Sequence, residues 1–424
     1  NTLNEAKVPS PIKKSKSLHL NFEKSNSKVD LDKPVPMSVD STPLSDLPVL
    51  ATPLSDYPRS VTPSSMFLSV ETKMDSLPNT ADVQKRLIPL LTQLKLANNE
   101  ILKYFIEELK YLKHLESLRS YFFLQDGEFG RNITENLFEK LYNANFPLEL
   151  INCRTLQHLV FSALDNSSRF QENSNYLSFK INSLPKCFDL GDPDVLDCLS
   201  LTYKVKWPLN ILLPSDTVSK YDQVFKFLVK LNRVSWVLKK IFLELKVLAK
   251  ETGKKEIYLM SSPQYRKLHQ CRHVMTHFMQ TFQNYIVGEV LQPSWELFER
   301  SLEHVTNLDE LYSAHITYIK NILFRCMLNQ KSVALRNIIQ KIFIVMIKFY
   351  DYLRSRHWVC EDGLYVHPNF SKLDKIFKNF EDFVVYFFKV AQKVTKSGYQ
   401  PFLIQFLDVL NVNDYYSKKL LKNT

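Results

Sequence analysis

His269, His273 and His277 follow one another at intervals of four in HQCRHVMTH, with Cys271 between the first two. On a helix that spacing stacks the imidazoles along one face, where two of them could share a metal ion. The pattern stops short of a site: no glutamate stands in the HExxH position, and no distant cysteine or carboxylate is spaced to complete a ligand set. A second constellation, Asp309, Glu310 and His315 in NLDELYSAH, has the residue types of an acid and a general base. Asn307 or Asp309 also suits a helix cap, and acids suit a first turn, so the helix dipole accounts for them without catalysis. GxSxG, GxxxxGK[S/T] and a paired-carboxylate motif in context are missing. The expectation is a protein that is not an enzyme and carries no cofactor. Metal chemistry around the three histidines stays open as an alternative.

The elements that must position these residues are helical. With 424 residues the chain has room for two or three domains, each with its own core. It has seven glycines, the first at Gly127, which counts against phosphate-cradling loops and the tight turns of an all-β fold. Asn79 and Thr80 suit caps, and Leu91, Leu94, Ile101, Leu102, Phe105, Ile106, Leu109, Leu112 and Leu115 recur at intervals mostly of three and four, predicting a long amphipathic helical stretch. Further helical segments are predicted over 132–143, 153–165, 216–250, 262–302, 307–328, 331–356, 371–396 and 399–421. In the histidine-bearing segment, Met275, Phe278, Met279, Phe282 and Ile286 form the core face and the histidines flank it. Apolar windows such as the one from Ile338 are broken by Lys341 and Lys348, so no membrane span and no membrane partner are expected. Six cysteines without close pairs suit a reducing cytosol, and a chain opening at Asn1 reads as a piece of something longer.

Residues 1–80 differ in kind. They hold ten of the twenty prolines, many serines and no sustained periodicity, and read as a largely disordered linker or insertion. TPLSD occurs at Thr42–Asp46 and again at Thr52–Asp56, with a further Thr-Pro at Thr62. Thr42, Thr52 and Thr62 are thereby candidate phosphoacceptors for proline-directed kinases, against the plainer reading of a drifted repeat. This segment carries nine residues of each sign, so the whole net charge of +11 belongs to residues 81–424. Lysines interspersed with core leucines, without a nucleic-acid-binding motif, point to solvated helix faces and an acidic protein partner, not to nucleic acid.

One stretch breaks the helical spacing. In LTYKVKWPLN, Leu201, Tyr203, Val205 and Trp207 alternate with polar neighbours until Pro208 ends the run. Tyr203, Val205, Trp207, Pro208 and Leu209, followed by Tyr221, Val224, Phe225, Phe227 and Leu228, resemble the C-terminal conserved domain of the gamma-tubulin complex proteins, with its Y-x-V-x-W-P-L segment and Y-x-x-V-F-x-F-L helix. LRSYFFLQDGEF, from Leu118 to Phe129, is similar to the family's leucine-rich helix and its Gly-acid-Phe turn. Asp309, Leu311, His315, Tyr318, Ile319 and Cys326 fit later family positions.

The resemblance implies an all-α fold: an elongated stack of helical bundles with at most a short extended or β segment near 201–213. It implies that residues 81–145 are long helices leading toward an N-terminal lateral domain the chain lacks, and that 146–424 form a gamma-tubulin-binding domain. Gamma-tubulin and other gamma-tubulin complex components as lateral neighbours are the implied partners, any GTP residing on gamma-tubulin. The implied role is a microtubule-nucleation scaffold in the cytoplasm, at centrosomes or other microtubule-organising centres and at spindle poles; a regulatory adaptor acting through the Thr-Pro linker is the alternative. Off-stripe Lys320, Arg325, Lys331, Arg336 and Lys341 are the candidates for facing gamma-tubulin. Tyr203, Trp207, Pro208, Tyr221, Phe225 and Phe227 are assigned to structure, with the Trp207 ring buried and, with Pro208, fixing the end of a crossover between subdomains.

Overall fold

The computed structural model describes residues 80–143, 152–165, 167, 171–182, 189–251, 256–361 and 364–422. The linker and its threonines Thr42, Thr52 and Thr62 lie outside the described residues. The fold is all-α with short strands. Helix α1 (Thr80–Lys103) runs into a π-helical segment, Tyr104–Glu108, and α2 (Tyr111–Phe122) follows. The single stretch expected over 91–115 is thus interrupted, because Lys110 adopts a left-handed conformation (φ 51°) that no helix interior accommodates. Helices α3 (Gly127–Asn143) and α4 (Cys153–Asp165) come next. Asp126 caps α3: its Oδ1 accepts from the Glu128 and Phe129 N–H groups at 3.0 and 3.2 Å.

Strands β1 (Leu177–Ile181) and β2 (Leu199–Tyr203) pair antiparallel, with Leu177 opposite Tyr203. The extended segment therefore ends at Tyr203, short of the expected limit, and Leu209–Ile211 is a 3-10 turn. Beyond the last β1 partner the alternation has no sheet to face. Leu209, Leu212 and Leu213 turn into the core there, and Trp207 is left 78% exposed. This corrects the expectation of a buried Trp207 ring. Pro208 is half-buried, whereas Tyr203, Tyr221, Phe225 and Phe227 are all buried.

Helix α5 (Ser215–Glu251) spans 37 residues, about 55 Å at 1.5 Å per residue. The remaining elements are α6 (Glu256–Ser261), α7 (Pro263–Asn284), a π-helical segment Tyr285–Leu291, α8 (Gln292–Leu302), α9 (Leu308–Arg325), α10 (Val333–Arg354), hairpin β3–β4 (Val359–Glu361 and Leu364–Val366), α11 (Phe370–Lys396), α12 (Leu403–Leu410) and α13 (Tyr415–Lys422). The hairpin is not among the sequence expectations, although an Asp-Gly dipeptide between two apolar runs is a hairpin signal. The segment expected over 399–421 divides into α12 and α13, because Asn413 and Asp414 both take φ 56°.

Helix α5 is central to residues 81–424. It packs on α2, α3, β2, α6, α7, α9 and α10, so buried side chains occur all around it from Val218 and Tyr221 to Leu238, while beyond Ile241 Phe242, Leu243 and Val247 are exposed and one face, with Leu245, stays buried. A second cluster gathers aromatic rings from four helices. Phe282 of α7 meets Phe343 of α10 at 6.5 Å and Phe406 of α12 at 5.6 Å, and Phe278 meets Phe380 of α11 at 6.1 Å. Separations in this range are those of edge-to-face and offset aromatic pairs. Among the described residues no helix is long and apolar enough to cross a membrane.

Candidate partner-binding surface

His315, the would-be general base, has no exposed surface. Its Nδ1 lies 3.1 Å from the Tyr111 hydroxyl and its Nε2 2.9 Å from the Tyr221 hydroxyl. A neutral imidazole has one donor and one acceptor nitrogen, so one tyrosine accepts while the other donates. Burial pushes the His315 pKa down to about 4. The group is a neutral tie between α2, α5 and α9, with no path for a substrate. Glu310 has a structural task as well. Asn307 Oδ1 accepts from the Glu310 N–H at 2.8 Å, and Glu310 Oε2 accepts from the Thr306 N–H at 2.7 Å, a reciprocal cap at the start of α9. That Thr306 N–H holds the Glu310 carboxyl below the usual range.

The three histidines of α7 separate by environment. His269 is half-buried edge-on to the Tyr265 ring at 4.6 Å, and burial, aided by Arg272, lowers its pKa. His273 and His277 line a groove of about 630 Å³ with Val274, Tyr415, Tyr416 and Lys419, while Cys271 turns into the core. Among the described residues no three His, Cys, Asp or Glu side chains converge as a metal site.

Several basic side chains are presented to solvent. Lys320, Lys331 and Lys341 are exposed. Arg325 and Arg336 are half-buried and serve the fold. The Arg325 guanidinium sits 3.9 Å from the Phe402 ring centroid and donates to the Glu289 carbonyl at 3.3 Å; Arg336 donates to the Leu328 carbonyl at 3.2 Å. Lys239 and Lys240, on α5, pair with Glu135 and Glu139 of α3 at 2.8 and 2.7 Å. Sequence reasoning missed a longer stripe on α11, where Lys375, Lys389, Lys393 and Lys396 are exposed with Tyr386 at helical spacing. The signal was present as lysines three and four apart beside an aromatic.

A family model described as "Gamma tubulin complex component C-terminal" matches residues 112–416, from α2 through α13. The chain belongs to the gamma-tubulin complex component family. Gamma-tubulin complex component 6 from mouse and from human is 36% identical over 331 residues, which cover 77% of this chain and 18% of each relative. Spindle pole body component 98 from Dictyostelium discoideum is 24% identical over 80% of this chain and 42% of its own length. The chain thus spans less than a fifth of the component 6 relatives. The Trp207-Pro208-Leu209 segment and the helix after it lie within the matched span. The exposed Lys320, Lys331 and Lys341 and the lysines of α11 all lie within the matched residues.

Proposed function

We propose that this chain is a gamma-tubulin complex subunit whose C-terminal helical domain binds gamma-tubulin and so helps template microtubule nucleation. The observation that carries the proposal is the family match over 112–416, which takes in the central helix and every basic face described above. The domain has no need of chemistry of its own, since its histidine-acid constellation is absorbed by caps and buried ties. Any GTP belongs to the bound gamma-tubulin. The exposed Lys320, Lys331 and Lys341 face an acidic tubulin surface, with Arg325 and Arg336 acting behind them as supports. Residues 81–145 lead toward a lateral domain, and other gamma-tubulin complex components are the neighbours on that side. The assembly works in the cytoplasm, at microtubule-organising centres and spindle poles.

Size-exclusion chromatography with light scattering, on the chain mixed with purified gamma-tubulin, tests the reading. A one-to-one complex that weakens with added salt is expected, because exposed charges are screened within about 8 Å at physiological ionic strength. Folded protein that forms no complex at low or at moderate salt would overturn it.

A further inference from the structure

Trp207 is 78% exposed, and Ile211, four residues on, is 51% exposed. The loop that carries them is braced on both sides. Before it, the Tyr203 hydroxyl is 2.6 Å from His114 Nδ1, the Lys204 N–H donates to the Tyr176 carbonyl at 2.9 Å and the Leu201 N–H donates to Asp222 Oδ1 at 2.7 Å. After it, the Asn210 N–H donates to the Lys206 carbonyl at 3.3 Å, that of Ile211 to Pro208 at 3.1 Å and that of Leu213 to Leu209 at 3.0 Å. Leu209, Leu212 and Leu213 are buried beneath it. Trp207 is therefore held out from a fixed base, and docking it would immobilise little that is not already immobile.

The surroundings specify what could cover the ring. Lys204 and Lys206 are exposed on either side of Val205, and neither forms an ion pair with another described residue. Between Leu199 and Tyr221 the charged residues are Lys204, Lys206, Lys220 and a single carboxylate, Asp216. A preorganised tryptophan inside a lysine rim is the arrangement of an interface hot spot: the ring fills a recess while the rim charges steer approach. We propose that Trp207, with Ile211 and a rim of Lys204 and Lys206, is the anchor by which this chain docks an acidic protein surface with an apolar recess, that of gamma-tubulin. The assignment rests on the gamma-tubulin-binding reading above.

The test is equilibrium binding of gamma-tubulin to the full chain, to Trp207→Ala and to Ile211→Asp, with the thermal midpoint of each measured alongside. Trp207→Ala is expected to weaken binding about 30-fold, the lower end of a hot-spot truncation, at an unchanged midpoint. Ile211→Asp changes affinity in the same direction, and Lys204→Glu with Lys206→Glu slows association most at low salt. Binding by Trp207→Ala within twofold of wild type, from protein with an unchanged midpoint, overturns the anchor and leaves the gamma-tubulin reading standing. Trp207→Ala that binds gamma-tubulin normally but no longer joins other complex components assigns the ring to a lateral neighbour and equally overturns it. Absence of binding by the wild-type chain removes the gamma-tubulin reading and the anchor together.

Discussion

The Tyr221 hydroxyl stands 2.9 Å from His315 Nε2, and both residues are without exposed surface. With Tyr111 on the other ring nitrogen, α2, α5 and α9 are joined through one imidazole that must stay neutral. Burial holds its pKa at about 4, against about 6.5 for an unfolded histidine. The stabilisation is complete above pH 6.5 and is lost as the pH falls toward 4, because the unfolded chain then binds a proton that the folded site refuses. That window corresponds to about 3 kcal/mol. Unfolding free energies from urea titration should be lower at pH 4.5 than at pH 7.5 for the wild type, and the difference should shrink by about 2 to 3 kcal/mol in His315→Gln, which keeps a donor and an acceptor without the titration.

Arg233 is fully buried on α5, donating to the Asp192 carbonyl at 2.9 Å and to the Leu190 carbonyl, with its guanidinium 5.7 Å from the Tyr142 ring centroid. It fastens the segment before β2 to the central helix. Arg233→Met keeps most of the stem but strands two carbonyls, so a loss of about 2 to 4 kcal/mol is expected. Amide exchange should quicken over residues 189–198 before it does elsewhere. Uniform quickening would mean that Arg233 supports the core in general and not this segment.

The helices were legible because their apolar residues recur at three and four, and the matched aromatics Tyr203, Tyr221, Phe225 and Phe227 proved to be core. Trp207 was misread for a definite reason. Alternation looks the same whether or not a partner strand reaches the end of the run, and β1 pairs only as far as Tyr203. Its partner, LSFKI, alternates apolar Leu177, Phe179 and Ile181 with Ser178 and Lys180, a strand signal that the reading of the helices passed over. The surface candidates divided for a similar reason. Whether Arg325 faces solvent or stacks on Phe402, 77 positions away in the chain, depends on tertiary contacts that periodicity does not encode. The ties of His315 to Tyr111 and Tyr221 also lay out of reach, while the capping of α9 was readable from NLDE alone.

Trp207 and Trp236 give a paired measurement of that misreading. Trp236 is 7% exposed, with Phe138 and Tyr142 at 5.9 and 5.0 Å, whereas Trp207 is 78% exposed. Trp236→Ala should cost about 3 to 5 kcal/mol, the range for emptying an aromatic core site. Trp207→Ala should stay within about 0.5 kcal/mol of the wild type, as surface substitutions do. Chemical denaturation of both variants checks this, and comparable losses would put the Trp207 ring back in the core.

The basic candidates should separate in the same way. Lys320, Lys331 and Lys341 are exposed, so changing all three to glutamate removes charge from the surface while leaving the fold intact. If they steer gamma-tubulin, association at low salt should slow about tenfold, and the difference should fade by about 0.5 M salt as screening removes the field from both proteins. Arg325→Glu acts elsewhere. It loses the stack on Phe402 and the bond to the Glu289 carbonyl, so stability should fall by about 1 kcal/mol or more, whether or not a partner is present. Stopped-flow association kinetics for the triple variant, beside a melting curve for Arg325→Glu, distinguish a charge that meets a partner from one that holds α12 against the rest of the domain. Association rates unchanged in the triple variant at low salt would move the contact to another face, for which the α11 stripe of Lys389, Lys393 and Lys396 around Tyr386 is the next to reverse.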